Sequence, residues 1–447
     1  MNWSAEQILA LAPDAASAKA GQGLATARKW QTLGADEQTA WGLCQGSGKT
    51  PYQTQIDLTE PAFRCSCPSR KFPCKHGLGL FLTLATHPEA FKEKQPPDWV
   101  SEWTASRAKR AGQRAEKQAK TEAGEKIVDE AAQAKRAASR EAKVTAGLHE
   151  LELWLRDFAR GGLAAAQSQP PQFWERTAAR LIDAQAPGIA RLARKMAGAA
   201  ASGDGWETRL LERMGKLYLL IEGFKRVNDL PSSTQADIRA SIGWTQNQEE
   251  LSRETGVRDR WIVLGQRVEE EDRLRAQRIW LWGEQSGHAA LILHFAHAQQ
   301  PLDAGFITGS TIEAELVFFP GAYPLRAIVK ERYGAPAQPE RISGYANVTD
   351  ASKAFAGAMA ANPWLEIFPM SLLNVTPLLR GDTLFVRDYE GRVLKLAPRF
   401  EFGWTMLALS GGREIDVFGE WDGDHFWPLS TFAEGRFVKF GSYDFVD

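Results

Sequence analysis

The spacing of apolar positions changes several times along the chain, and each change marks a different kind of structure. Between Ser4 and Ala18, Ile8, Leu9 and Leu11 gather on one side of a short helical repeat. Trp30–Leu33 and Thr39–Cys44 read as strands, and Tyr52, Thr54, Ile56 and Leu58 occupy alternate positions, the period of a half-buried strand. Leu78, Leu80, Phe81, Leu82 and Leu84 then build an apolar helix that ends before Pro88. Leu148, Leu151, Trp154, Leu155 and Phe158 recur at helical spacing, as do Trp206, Leu210, Leu211, Met214, Leu217, Tyr218 and Ile221. Pro170-Pro171 and Pro187-Gly188 punctuate these helices, whose stripes read as the core of a bundle.

From about residue 258 the runs shorten to strand length: Trp261–Gly265, Arg278–Trp282, Ala290–His294 and Ala314–Phe319. A second β stretch is expected from Leu384. There Leu384–Val386 and Val393-Leu394 flank the turn Asp388–Gly391, and Met406–Leu409 and Ile415–Phe418 flank Gly411-Gly412. Trp421 and Phe426-Trp427 flank Asp422–Asp424. Short strands at this spacing predict a sandwich or small barrels. Residues 335–370 read as a proline-containing loop with one helix, Ala351–Ala361.

The segment 105–143 differs in kind, with 12 alanines and 17 charged residues among its 39 positions. Only Ile127 and Val128 are large and apolar, while Glu116/Lys120 and Glu122/Lys126 are favourable i,i+4 pairs. It reads as a solvated helix or partly helical arm without a coiled-coil seam. The expected fold is therefore α+β and multidomain: a first unit over 1–98, a charged helical linker over 99–143, a helical domain over 144–250, and β-rich structure over 251–447, with a subdivision near 335–370.

Composition narrows the function classes. The chain has 447 residues, 54 Lys/Arg and 55 Asp/Glu, for a net charge of -1. This excludes a uniformly basic nucleic-acid-coating protein and a strongly acidic solvating chain. The longest apolar runs, Ala289–Leu293 and Leu78–Ala85, fall far short of the roughly 20 residues of a spanning helix. No basic n-region opens the chain, and Glu6 and Asp14 interrupt any h-region, so a cytoplasmic location away from membranes is expected.

Three of the four cysteines, Cys65, Cys67 and Cys74, fall within ten residues, and His76 follows. In a reducing compartment this clustering indicates a metal rather than disulfides. Zinc in structural sites takes four nitrogen or sulfur donors in a tetrahedron. Cys65 and Cys67 form one close pair, and Cys74 and His76 another after the turn between Pro68 and Pro73. Three thiolates and an imidazole close the shell and leave no place for a catalytic water, so one structural Zn2+ is expected. The competing reading is three buried free cysteines near a core histidine. Cys44 lies outside the pattern and reads as a buried strand residue.

The arrangement Cys-x-Cys, six residues, Cys-x-His, behind strands and ahead of an apolar helix, resembles the SWIM zinc finger. Phe63–His76 as a whole is similar to the finger of bacterial SWIM zinc finger family proteins, and phrases downstream resemble the same group: Trp154–Asp157, Asp183–Gly188, Leu264–Gln266, Pro363-Trp364 and Gly419–Gly423. The resemblance implies a ββα zinc finger that binds protein or nucleic acid and, for the bacterial group, a partnership with a MoxR-type AAA ATPase or a von Willebrand A (VWA) domain protein.

Charge is uneven around the cluster. Residues 61–120 hold 12 Lys/Arg against 5 Asp/Glu, a net of +7, which leaves about -8 for the remainder of the chain. Arg64, Arg70, Lys71 and Lys75 are interleaved with the cysteines and the histidine and are the candidate phosphate contacts. A solvated face, or compensation of thiolate charge, accounts for them equally, and no base-reading helix is evident.

Other motifs dissolve on inspection. Gly46–Thr50 suggests a P-loop, but five residues rather than four separate Gly42 from Gly48, and Pro51 and a strand follow, so a hairpin turn is expected. His294 and His297 are three apart in a strand and face opposite sides. Asp422 and Asp424 flank a turn glycine. Trp261, Trp280, Trp282, Trp404, Trp421 and Trp427 fall in β segments and are expected mostly in the core, with one or two available to line a peptide groove. No nucleophile elbow, HExxH or dinucleotide fingerprint occurs. The preferred reading is a non-catalytic zinc-binding interaction protein. The alternatives are a DNA- or RNA-binding accessory factor and an enzyme with a site in the C-terminal β region.

Overall fold

The computed structural model describes residues 5–12, 15–46, 50–58, 62–69, 71, 73–107, 130–244, 246–271, 274–297, 302, 305–339 and 341–440. The chain has the mixed α+β architecture that the patterning implies: a finger unit, a helical bundle and two C-terminal β assemblies.

The finger unit comprises α1 (Ala5–Ala10), α2 (Ala15–Gln22), β1 (Trp30–Ala35), β2 (Thr39–Cys44), β3 (Tyr52–Asp57), β4 (Ala62–Cys65) and α3 (Lys75–Thr86). The expected single helix over Ser4–Ala18 is two. The first ends before Pro13, whose ring disfavours helical backbone at the preceding residue. The strands form an antiparallel meander in the order β1-β2-β3-β4. β4 is an addition to the expected ββα plan, because four residues with one buried side chain, Phe63, are too short to show a period. Ile8, Trp30, Leu33, Ile56, Phe63, Leu78, Leu80 and Phe81 pack as one core between sheet and helices.

Residues 98–107 are helical, and segment 108–129, which carries most of the expected charged arm, lies outside the described residues. The bundle consists of α4 (Glu130–Arg160), α5 (Pro171–Asp183), α6 (Pro187–Ala200), α7 (Trp206–Lys225) and α8 (Ser232–Ile242), and α4 runs through residue 143 without interruption. Pro171 and Pro187 sit at the first helical position, where the missing N–H has no partner to lose. The expected stripes meet in the core through Leu148, Leu155, Leu210, Leu217 and Ile221. Leu211 and Tyr218 are instead exposed on the outer face of α7, where the Tyr218 hydroxyl accepts a hydrogen bond from Arg156.

β5 (Val257–Glu271), β6 (Leu274–Gly283), β7 (Ala289–His297), β8 (Thr311–Phe318) and β9 (Arg326–Ala337) close into a barrel in the order β5-β6-β7-β9-β8. After α9 (Val348–Ala361), a six-stranded sheet forms from β10 (Phe368–Arg380), β11 (Thr383–Arg387), β12 (Val393–Lys395), β13 (Ile415–Trp421), β14 (Phe426–Ala433) and β15 (Arg436–Lys439), ordered β12-β11-β10-β13-β14-β15. β10 begins well before the Leu384 onset expected from patterning. Its first half pairs with β13 and its second half with β11, with Asn374 at the pivot in the left-handed region (φ 52). Pro369 and Pro377 lie one in each half, and two prolines within the run obscured the strand. Met406–Leu409, expected as a strand, lies in α10 (Gly403–Ser410), which Gly411 ends at φ 55. Four apolar residues do not distinguish helix from strand. Trp404 on this helix is 74% exposed rather than in the core, whereas Trp261 and Trp280 are fully buried.

The units are joined by particular side chains. In the stretch 305–310, Phe306 belongs to the barrel core, Ile307 to the finger core, and Gly309 lies so close to the Phe437 ring that a Cβ there would approach it to 2.7 Å. Arg191 and Lys195 of α6 pair with Glu366, and the Trp364 indole N–H donates to the Lys216 carbonyl at 3.1 Å. Between barrel and sheet, Glu420 is buried. It accepts hydrogen bonds from Arg267 Nη1 (3.1 Å), Arg278 Nε (2.8 Å) and Nη2 (3.1 Å), and Trp280 Nε1 (2.8 Å). Glu269 completes this group by accepting from Arg278 at 2.7 Å. Among the described residues, no helix is long and apolar enough to cross a membrane.

Candidate metal centre

Each member of the cysteine–histidine cluster is placed by a different local device. Cys65 ends β4, in register with Thr54 of β3, and Cys67 follows after the chain leaves the sheet. Cys74 is the N-cap of α3, where its Sγ accepts from the Gly77 N–H at 3.5 Å. His76 lies in the first turn of that helix, buried, with its ring 5.0 Å from the Tyr52 ring.

The three sulfurs and one ring nitrogen lie within 4.8 Å of one another. The Cys65 and Cys74 sulfurs are 3.8 and 4.0 Å from His76 Nδ1. A zinc tetrahedron with sulfur ligands at about 2.3 Å has edges of about 3.8 Å, so the donors stand at nearly the separation the ion requires. The cluster fits the pattern Cys-x-Cys, six residues, Cys-x-His and is compatible with one structural Zn2+.

The four groups also share protons. Contacts with Cys65 and Cys74 hold the Cys67 thiol far below its ordinary range, although burial opposes this. Sharing with Cys65 and Cys67, together with burial, pushes Cys74 far above it. Burial pulls the imidazole of His76 down, but the neighbouring Cys65 and Cys67 outweigh it and raise its pKa to about 9. Three adjacent thiols cannot all ionise without a cation beside them, and proton sharing is the substitute. A divalent ion at the centre removes that conflict.

The sequence pointed to these four residues but not to their supports. The Thr54 hydroxyl lies 3.2 Å from Cys65 Sγ, and the Ser69 and Gly77 backbone N–H groups bond to Cys67 and Cys74. Such partners orient ligands and tune their charge. Thr54 shares the alternating face of Tyr52, but only the β3–β4 register reveals its role.

Among the basic candidates, Arg64, Lys71 and Lys75 are exposed on the finger, and Arg70 lies outside the described residues. Cys44 is fully buried at the end of β2 and is not part of the cluster. The P-loop-like stretch joins two paired strands, with Cys44 opposite Tyr52, as a hairpin requires; residues 47–49 lie outside the described residues. Asp422 Oδ1 accepts from the Asp424 and His425 N–H groups, which is turn chemistry. His294 and His297 lie on β7.

Residues 52–85 match the model of the SWIM zinc finger, and residues 139–242 match that of the SWIM-associated four-helix bundle domain. The first range contains β3, β4, the cluster and most of α3, and the second runs from within α4 to the end of α8. Neither a curated protein nor a solved structure matches the chain.

Proposed function

We propose that this chain is a non-catalytic interaction protein, in which Cys65, Cys67, Cys74 and His76 bind one structural zinc ion and the finger so fixed recognises a protein partner. The closed donor set carries this reading. Four protein ligands fill a tetrahedral ion, and an ion so enclosed offers no position to substrate or water. What the bound metal supplies is a cross-link that fastens β4, the loop after it and the start of α3. The resemblance to the bacterial SWIM group suggests an AAA ATPase of the MoxR type or a VWA-domain protein as that partner, within the cytoplasm.

The experiment is affinity capture from lysate with the full chain and with Cys67→Ser, each with and without nuclease. A partner set that survives nuclease and is lost with zinc supports the reading. Retention of the same partners by the zinc-free variant overturns it. A second reading, nucleic-acid contact, draws on the exposed Arg64, Lys71 and Lys75 in a segment of net +7. It requires binding to random-sequence duplex whose logarithm falls with log salt at about -0.9 per phosphate contacted.

A further inference from the structure

Alongside the knuckle runs a groove of about 700 Å³, within the range of about 300–1,000 Å³ usual for ligand sites. One side is α2, whose Ala16 and Ala20, with Leu24 just beyond, give it small or apolar surfaces. The opposite wall is the knuckle itself, including Cys67 and His76, and Tyr52 lines the groove beneath the β2–β3 hairpin. Lys71 and Lys75 are exposed at its edge, and among the described residues no aspartate or glutamate lines it.

We infer that this groove between α2 and the zinc knuckle binds an acidic segment of a protein partner. The inference rests on the reading of the finger as a protein-recognition module and specifies its surface. The alanine and leucine side chains offer apolar contact to a peptide's side chains and ask for no particular one. The two ammonium groups supply charge complementarity to carboxylates, and no acidic side chain among the described lining residues opposes it. A single-stranded nucleic acid would want stacking platforms alternating with cations. Among the described lining residues the groove has one phenol ring, Tyr52, and that ring already packs against His76. Because Cys67 and His76 form part of the wall, the groove keeps its shape only while the knuckle does.

The test uses the full zinc-loaded chain and fluorescence anisotropy. The probe is a short fluorescein-labelled peptide alternating glutamate with leucine. A peptide with lysine in place of glutamate and an oligo-dT strand of equal length serve as comparisons. The acidic peptide should bind with Kd of about 1–100 μM, and the lysine peptide should not bind. Lys71→Glu combined with Lys75→Glu should weaken binding at least about tenfold, since it exchanges two attractions for two repulsions. Ala16→Trp, at a position exposed in the free protein, should block the groove to a similar extent while zinc content stays unchanged. The inference is overturned if no acidic peptide binds, if neither variant changes its affinity, or if oligo-dT binds more tightly through the same lysines. Captured partners that are indifferent to both groove variants but lost with Cys67→Ser would remove the groove and leave the module. Partners indifferent to Cys67→Ser would remove the module.

Discussion

At the knuckle, three thiols and an imidazole converge, with no carboxylate in the group among the described residues. At the joint between barrel and sheet, the carboxylates of Glu420 and Glu269 meet the guanidiniums of Arg267 and Arg278, and Arg267 also stacks over the Trp427 ring at 3.7 Å. The second group is electrically complete. Burial acts against the charge on Arg278, yet Glu420 and Glu269 outweigh it and raise its pKa further. In the first group the protons are displaced in opposite directions from one cysteine to the next. Crowding of ionisable groups is common to both, so crowding alone does not identify a ligand site. Donor type separates them: three sulfurs and an imidazole are compatible with a structural zinc ion, and the paired charges of the joint fasten two parts of the chain together.

The largest effect that could break this contrast is at the knuckle. Cys67→Ser should abolish zinc in elemental analysis and unfold the finger, since structural zinc in finger peptides contributes about 10–16 kcal/mol of apparent binding energy at neutral pH. A zinc-free protein with native far-UV and near-UV signals from a folded finger would show that the cluster does not depend on an ion. At the joint, Glu420→Ala should cost about 3 kcal/mol in denaturant unfolding, because it removes a buried carboxylate and leaves two half-buried guanidiniums short of a partner, and zinc content should not change. Loss of zinc in that variant would deny that the two clusters have separate duties.

A smaller effect tests the contact between the units themselves. Ile307→Ala should cost about 2–3 kcal/mol, near the lower end for a buried isoleucine, and should raise hydrogen exchange in the finger as well as the barrel. Protection lost in the barrel alone would mean that the finger core does not use this residue. The smallest effect concerns acid. Burial works against the carboxylate of Glu366, but Arg191 and Lys195 prevail and hold its pKa at about 2. A depressed carboxylate contributes its full stability above the unfolded value of about 4.3 and loses it as pH falls toward the folded one. The stability gap between wild type and Glu366→Gln should therefore be widest near neutrality and shrink below about pH 4. A gap independent of pH would assign the effect to shape rather than charge.

The contrast also explains what was legible beforehand. The knuckle is written within twelve residues, from Cys65 to His76, and its chemistry is uncommon enough to be read without a fold. The joint draws Arg267 and Arg278 from two strands of the barrel and Glu420 from a strand far along the chain, so no local window contains it. The same distinction holds for the elements. β3 and α3, six and twelve residues long, are found where their apolar positions put them. β4 carries too few residues for a period, β10 is masked by Pro369 and Pro377, and α10 presents only four apolar residues in a row. Each miss reflects a tertiary decision about which side of a segment is covered.

The position of Ile307 has a consequence for biogenesis. A chain made from its N-terminus at about 5–20 residues per second takes roughly 10–40 s to travel from the end of the finger unit to this residue. The four zinc donors are available from the start of that interval, whereas the isoleucine that completes the finger's apolar core is not yet made. The newborn finger can therefore take up a metal cross-link while part of its core is still open to solvent. An ion bound in that interval would hold together what Ile307 later covers.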